Sequence, residues 1–173
     1  MLATAFRDQR AAAGDFWLLI GIDDFLAKLP WRNAERDGGG ALAADAIRFE
    51  ATPDGARAVV GSLGRQLLRA YQGTVRAAAR VGLNVIFDEV VIDQTSWDDW
   101  MVVLEDLDDV WVGVRCSAEV AEDRNRIRGP RFAGLARAQA VTVHRYATYD
   151  FEIDTTTLPP GEALRELSHR LGY

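Results

Sequence analysis

Asp23 and Asp24 follow the apolar run Phe16-Trp17-Leu18-Leu19-Ile20, and Asp88 and Glu89 follow Asn84-Val85-Ile86-Phe87. Short β-branched and aromatic runs of this kind predict buried parallel strands. Ligands of open α/β sheets bind just outside the carboxyl ends of such strands, so carboxylates there are candidates for chemistry. If Asp23 and Asp88 face one cleft, one can take a proton from a hydroxyl while the other holds the water shell of a magnesium ion. That is the division of labour phosphoryl transfer needs. The bland alternative is a strand that has reached solvent and turned polar.

A second group is cationic. Between residues 115 and 145 stand seven arginines (115, 124, 126, 128, 131, 137 and 145) against three acids, Glu119, Glu122 and Asp123. Arg124, Arg128 and Arg131 have helical spacing or flank the Gly129-Pro130 break, so a lid could bring them onto a polyphosphate. A solvated helix face paired with Glu122 and Asp123 is the competing reading. His144 and His169 are weaker acid–base candidates, since neither adjoins an acidic strand end.

The elements that must position these groups alternate along the chain. Residues 2–13 predict an alanine-rich helix stopped by Gly14, and residues 16–20 a strand. Phe25, Leu26 and Leu29 suggest a short helix ended by Pro30, and residues 31–40 a polar loop. Thr52-Pro53-Asp54-Gly55 is a turn signal at the centre of a hairpin within residues 47–60. Leu63, Leu67, Tyr71, Val75 and Ala78 recur every three or four residues, the apolar face of a long helix. Thr95 is expected to cap a helix whose apolar positions are Trp97, Trp100, Met101 and Leu104, with the tryptophans in the core. Residues 110–114 predict a third buried strand, Ser117 caps a helix to Arg128, and a further helical piece runs to about Gln139. A strand at 151–154 and a helix at 162–171 close the chain. The class is α/β with a mainly parallel sheet.

At 173 residues and 49% hydrophobic, the chain suits a single domain of residues 1–173 with a full core. A net charge of −6 argues against nucleic acid and anionic membrane surfaces as partners and for a small molecule. No run reaches membrane-spanning length and no secretory pattern opens the chain, so a cytoplasmic location is expected. Cys116, the one cysteine, is expected to be a buried, reduced thiol.

A phosphate-cradling Gly-x-x-x-x-Gly-Lys-Ser/Thr loop is absent from these residues; the one lysine, Lys28, follows Leu26-Ala27 without glycine. Even so, an ordered set of pieces resembles the chloramphenicol phosphotransferase-like branch of the P-loop kinases. They are Gly21-Ile22-Asp23-Asp24, Val85-Ile86-Phe87-Asp88-Glu89-Val90, Val110-Trp111-Val112-Gly113-Val114-Arg115-Cys116, Glu122-Asp123-Arg124, Arg128-Gly129-Pro130-Arg131, Ala138-Gln139-Ala140, Val143-His144, Tyr149-Asp150 and Asp154-Thr155-Thr156.

The resemblance implies a nucleoside-monophosphate-kinase-like fold and ATP- and Mg2+-dependent phosphorylation of the primary hydroxyl of chloramphenicol, a self-resistance reaction. Asp23 then stands as general base, and Asp88 on the magnesium and substrate side. Arg124, Arg128 and Arg131 become lid contacts to ATP (lid about 117–140), and Asp154 and Thr155 begin the adenine-side loop. Residues 31–60 would line the acceptor cleft. Family members begin with the central strand of the sheet and the phosphate loop, both absent here. The strand's burial is worth about 8–15 kcal/mol. The natural start is therefore expected about 15 residues upstream, and the chain as it stands is expected to show little or no turnover. A non-catalytic small-molecule-binding protein derived from such a kinase stays open as the alternative.

Overall fold

The apolar runs that end in carboxylates form the strands expected of them. The computed structural model describes residues 1–28, 45–53, 55–128 and 134–173, with backbone alone for Gly55 and Arg128. In chain order the elements are α1 (Leu2–Ala12), β1 (Trp17–Gly21), α2 (Ile22–Leu26), β2 (Ile47–Thr52), β3 (Gly55–Val60), α3 (Ser62–Arg80), β4 (Asn84–Asp88) and α4 (Gln94–Leu104). There follow β5 (Val112–Arg115), α5 (Ala118–Arg128), α6 (Leu135–Thr142), β6 (Phe151–Asp154) and α7 (Pro160–Arg170). The expected end of α2 at Pro30, the polar loop 31–40 and the Gly129-Pro130-Arg131 break lie outside the described residues.

β1 and β4 pair in parallel, from Trp17 opposite Asn84 to Gly21 opposite Asp88. β5 and β6 form a second parallel pair, and β2 with β3 an antiparallel hairpin. Among the described residues the parallel strands are two separate pairs with no ladder between β4 and β5. Packing nevertheless aligns the two pairs. Because side chains alternate along a strand, Val85 and Phe87 meet one apolar cluster, with Tyr71, Trp97, Trp100 and Trp111 at its centre. Ile86 meets the other, around Phe6, Ile153 and Leu167, which Trp17, Val112 and Phe151 also join. Parallel strands covered by helices are the arrangement of a P-loop-kinase-like α/β fold.

Several local expectations need correction. Asp93, not Thr95, caps α4: its Oδ1 accepts from the Ser96 backbone N–H at 2.9 Å, the reach of an N-cap side chain to the third helical residue. Residues 110–114 are less buried than a core strand. Val110, which precedes β5, and Val114 within it are exposed. Met101 also reaches the surface, whereas Trp97, Trp100 and Trp111 are buried as expected. Cys116 is half-buried and free.

The hairpin is fastened to α3 from outside the helix. Asp45 accepts from the Ser62 backbone N–H at 2.9 Å, the Leu63 backbone N–H at 3.2 Å and the Ser62 hydroxyl at 2.6 Å, filling the place of an N-cap. The Ser62 hydroxyl and these backbone N–H groups hold the Asp45 carboxyl below its usual pKa. Gly64 permits the approach, since a Cβ there would stand 2.2 Å from the Ala46 carbonyl oxygen. No described helix is long and apolar enough to cross a membrane.

Candidate active site

Pairing of Gly21 with Asp88 puts the ends of β1 and β4 side by side. Gly21 is also the residue from which α2 starts, so Asp23 and Asp24 occupy that helix's first turn, both exposed. An Asp24 carboxylate oxygen would stand 3.3 Å from a Cβ on Gly21, and the Asp88 Cβ 4.0 Å from it. The Asp24 carboxylate and the Asp88 side chain therefore both stand against one glycine. Carboxylates in the first turn of α2 are favoured there by the unpaired N–H groups of the helix start.

Two aromatic side chains hold this junction from beneath. Tyr71, on α3 and fully buried, donates its hydroxyl to the Ile20 carbonyl at 3.2 Å and to the Asp88 carbonyl at 3.4 Å. One phenol thus spans both strand ends. Burial, with the charges of Glu89 and Asp88, pushes its pKa up, so it stays a donor. Trp100, on α4, donates its indole N–H to Glu89 Oε2 at 3.0 Å, while Glu89 Oε1 accepts the Val90 backbone N–H at 2.7 Å.

Glu89 is the unusual acid of the group. Burial pushes its carboxyl up to about 7; the Asp88 and Asp23 charges add to this, and the hydrogen bonds from Val90 and Trp100 oppose it. Among the described residues no basic group contributes to that shift. A pKa raised in the folded state makes stability greatest below the unfolded value of 4.5 and removes that contribution as pH rises through about 7. The loss is about 3 kcal/mol. His144 works in the opposite sense over part of this window, because its lowered pKa makes stability rise with pH up to its unfolded value. Urea titrations at pH 5 and 8 on the parent and Glu89→Gln should therefore show a pH-dependent loss in the parent beyond that of the variant. Equal slopes would contradict the placement of Glu89.

The structure does bring Arg124, Asp154 and Thr155 together. Arg124 Nη1 donates to the Thr155 hydroxyl at 2.9 Å and Nη2 to the Thr155 carbonyl at 2.6 Å. That hydroxyl in turn donates to the Arg115 carbonyl at 2.9 Å, and Asp154 accepts the Thr156 backbone N–H at 2.8 Å. Arg124 is thus a clasp between α5 and the segment after β6. Of the other described arginines, Arg115 pairs with Glu152, and Arg126 with Asp123 at 2.8 Å, part of the solvated-face reading. The Arg128 side chain and Arg131 lie outside the described residues.

His144 is elsewhere. Its Nδ1 is 2.8 Å from the Tyr149 hydroxyl, and burial, then the Arg115 charge, lowers its pKa while Glu152 opposes. His169 is in α7, in the last turn. Neither histidine joins the carboxylates.

No group of three or more histidines, cysteines or acids that could hold a metal directly exists among the described residues. Magnesium asks for less, keeping most of its waters and taking one or two carboxylates. The Asp24 carboxylate and the Asp88 side chain beside Gly21, next to Glu89, fit a hydrated ion of that kind. Sequence patterning put Asp23 and Asp88 at the ends of strands, where the structure has them, but missed two supports. Tyr71 read as one apolar position of a helix face, and nothing in the spacing tells that Glu89 turns inward to Trp100.

The family described as chloramphenicol phosphotransferase-like protein matches residues 1–172. Two proteins of Mycobacterium tuberculosis, from strains CDC 1551/Oshkosh and ATCC 25618/H37Rv, are each named "Putative O-phosphotransferase". Each is 33% identical over 175 residues, covering 96% of this chain and 73% of the relative.

Proposed function

Since the chain belongs to the chloramphenicol phosphotransferase-like family, we propose that its chemistry is ATP-dependent phosphorylation of a hydroxyl on a small molecule, chloramphenicol or a similar compound. The observation that carries this reading is the junction at Gly21 and Asp88, where Asp23 and Asp24 open α2 at the end of β1 and Asp88 closes the adjacent β4, the two strand ends tied together by the Tyr71 hydroxyl. The O-phosphotransferase names of the two relatives support it.

In this reading Asp23, exposed in the first turn of α2, takes the proton of the acceptor hydroxyl. Asp88, held by the Tyr71 contact to its carbonyl, faces the magnesium side. Bound magnesium would neutralise charge on the transferring phosphoryl group. Arg124 ties the lid helix to Thr155 and so orders the adenine side, with Asp154 fixing the turn beneath it. Arg128 and Arg131 would reach ATP from the lid. With ATP as donor, the reaction is expected in the cytoplasm.

The test uses enzyme at the same concentration as chloramphenicol, with ATP and Mg2+, followed by phosphorus NMR. A phosphate ester on the hydroxyl is expected, formed slowly. ATP hydrolysed to phosphate with no ester would overturn the reading. The second reading, a binding protein without catalysis, draws on the absence of a phosphate-cradling loop from the sequence. Calorimetry separates the two: chloramphenicol bound and ATP not bound favours the second.

A further inference from the structure

Between Gly113 and Ile153 no described residue is buried. The stretch that carries α5 and α6 therefore has no core residue of its own, and segments with so little apolar burial sit at the low end of a domain's local stability. Two polar clasps tie it to the strands. The first is Arg124, whose guanidinium donates to the Thr155 hydroxyl and carbonyl. An arginine keeps its charge throughout the range in which proteins stay folded. The second lies at the other end, two residues beyond the close of α6 at Thr142. There His144 has its Nδ1 2.8 Å from the Tyr149 hydroxyl, with the two rings edge-on at 5.6 Å between centroids.

Tyr149 is anchored on the strand side. The Asp150 backbone N–H donates to the Trp111 carbonyl at 2.9 Å, and Asp150 Oδ2 accepts the Trp111 backbone N–H at 2.7 Å, which pins the approach to β6 against the approach to β5. The tyrosine ring then lies on Gly113, where a Cβ would stand 2.7 Å from it. The second clasp thus joins a well-anchored phenol to an imidazole on the weakly held stretch.

The groups that face His144 decide when this clasp holds. They are Arg115 from β5, Glu152 from β6 and Tyr149 from the turn before β6. Glu152 draws a proton towards the ring, but both its oxygens are engaged by Arg115, at 2.8 Å to Nε and 2.5 Å to Nη2. Burial, then the Arg115 charge, outweighs it and lowers the histidine's pKa. A neutral imidazole with its hydrogen on Nε2 accepts the phenol hydrogen at Nδ1. The imidazolium has no acceptor left, so the phenol must turn about, and a second cation stands half-buried near Arg115. A group whose pKa is lowered in the closed arrangement favours the open one as it takes a proton. Closure is therefore strongest above the ordinary value of 6.5 and weakens as pH falls below it.

We infer that the contact of His144 with Tyr149 is an acid-released clasp: when His144 takes a proton, residues 135–147 come away from the β5–β6 pair while Arg124 keeps α5 attached. The consequence reaches the hairpin. Gln139, Val143 and Tyr146 on the released stretch meet Ala56 and Ala58 of β3 around a cleft of about 260 Å3, so opening the clasp widens that cleft. Under the lid reading, α6 is the part of the lid that acid frees. The inference itself stands apart from phosphoryl transfer and needs no nucleotide.

The test is an NMR titration of the 15N-labelled chain from pH 8 to 5, with His169, exposed in α7, as the reference ring. The His144 ring and the backbone amides of residues 135–147 should titrate with one midpoint, and the hydrogen-exchange protection of those amides should fall towards pH 5. In His144→Gln, which leaves an uncharged side chain at that place, the fall should disappear. Tyr149→Phe should lower protection of the same amides about tenfold at pH 7.5 and raise the His144 midpoint. Glu89 titrates in the same window, but it does so in the parent and in His144→Gln alike, so the difference between them belongs to His144. A His144 titration that the amides of 135–147 do not follow, equal pH dependence in the parent and His144→Gln, or protection unmoved by Tyr149→Phe would overturn the inference. The first of these outcomes needs no variant to fold, and none of them bears on phosphoryl transfer, which an activity assay decides separately.

Discussion

Trp100→Ala should cost about 4–8 kcal/mol of folding free energy. The side chain is fully buried, stacks on Phe87 at 4.7 Å between ring centroids, and meets Tyr71 edge-on at 5.6 Å and Trp111 at 6.0 Å. Truncating such a ring leaves a cavity worth about 3–5 kcal/mol. The indole also donates to Glu89, and a buried carboxylate that loses a donor costs about 1–3 kcal/mol more. Against the 5–15 kcal/mol of a typical domain, the sum is most of what there is. Trp100→Phe separates the parts by keeping most of the ring volume and deleting the donor. Its cost should be the smaller share, and because the lost hydrogen bond favours the charged form, Glu89 should titrate still higher. Urea denaturation of both variants at pH 5 and 8 reads the two effects. A Trp100→Ala loss under about 2 kcal/mol would show that this tryptophan does not centre the core.

The residues themselves explain why parts of this architecture could be read ahead of the structure. The Thr52-Pro53-Asp54-Gly55 signal works locally, and β2 and β3 do pair from Ile47 opposite Val60 to Thr52 opposite Gly55, with Asp54 outside the described residues. The three-or-four spacing from Leu63 to Ala78 does become one helix, because burying a stripe depends on period alone. What depends on partners far along the chain was not legible. Asp45 caps α3 from 17 residues away, and Tyr71 reaches Ile20 across 51. Helical spacing marked both tyrosine and tryptophans as apolar without telling which polar atom each would meet. Arg124 counted as one of an arginine cluster, yet its direction is set by Thr155, 31 residues on. The two carboxylates at strand ends were legible because topology alone puts strand ends together. Asp24's approach to Gly21 was not, since it follows from where α2 begins.

Phosphoryl transfer by these 173 residues should run about 10³–10⁵ slower than by a relative that carries a phosphate-cradling loop with its lysine, the range a single cation at the transferring phosphate is worth. In the proposed reading the carboxylate junction would hold magnesium and accept a proton, but both functions act on the acceptor and the metal. Neither replaces donors aimed at the transferring oxygens. Arg124, the described cation nearest in role, spends two of its donors on Thr155. Single-turnover assays with radiolabelled ATP and chloramphenicol, run on this chain and on one of the Mycobacterium tuberculosis relatives once its loop is verified, measure the gap. Asp23→Asn tests what remains: loss of the base should remove a further 10²–10⁴ and leave chloramphenicol affinity unchanged. A rate within tenfold of the relative's would mean that the described site already supplies the missing donors. Affinity that falls together with the rate would make Asp23 a residue that positions the acceptor and not one that takes its proton.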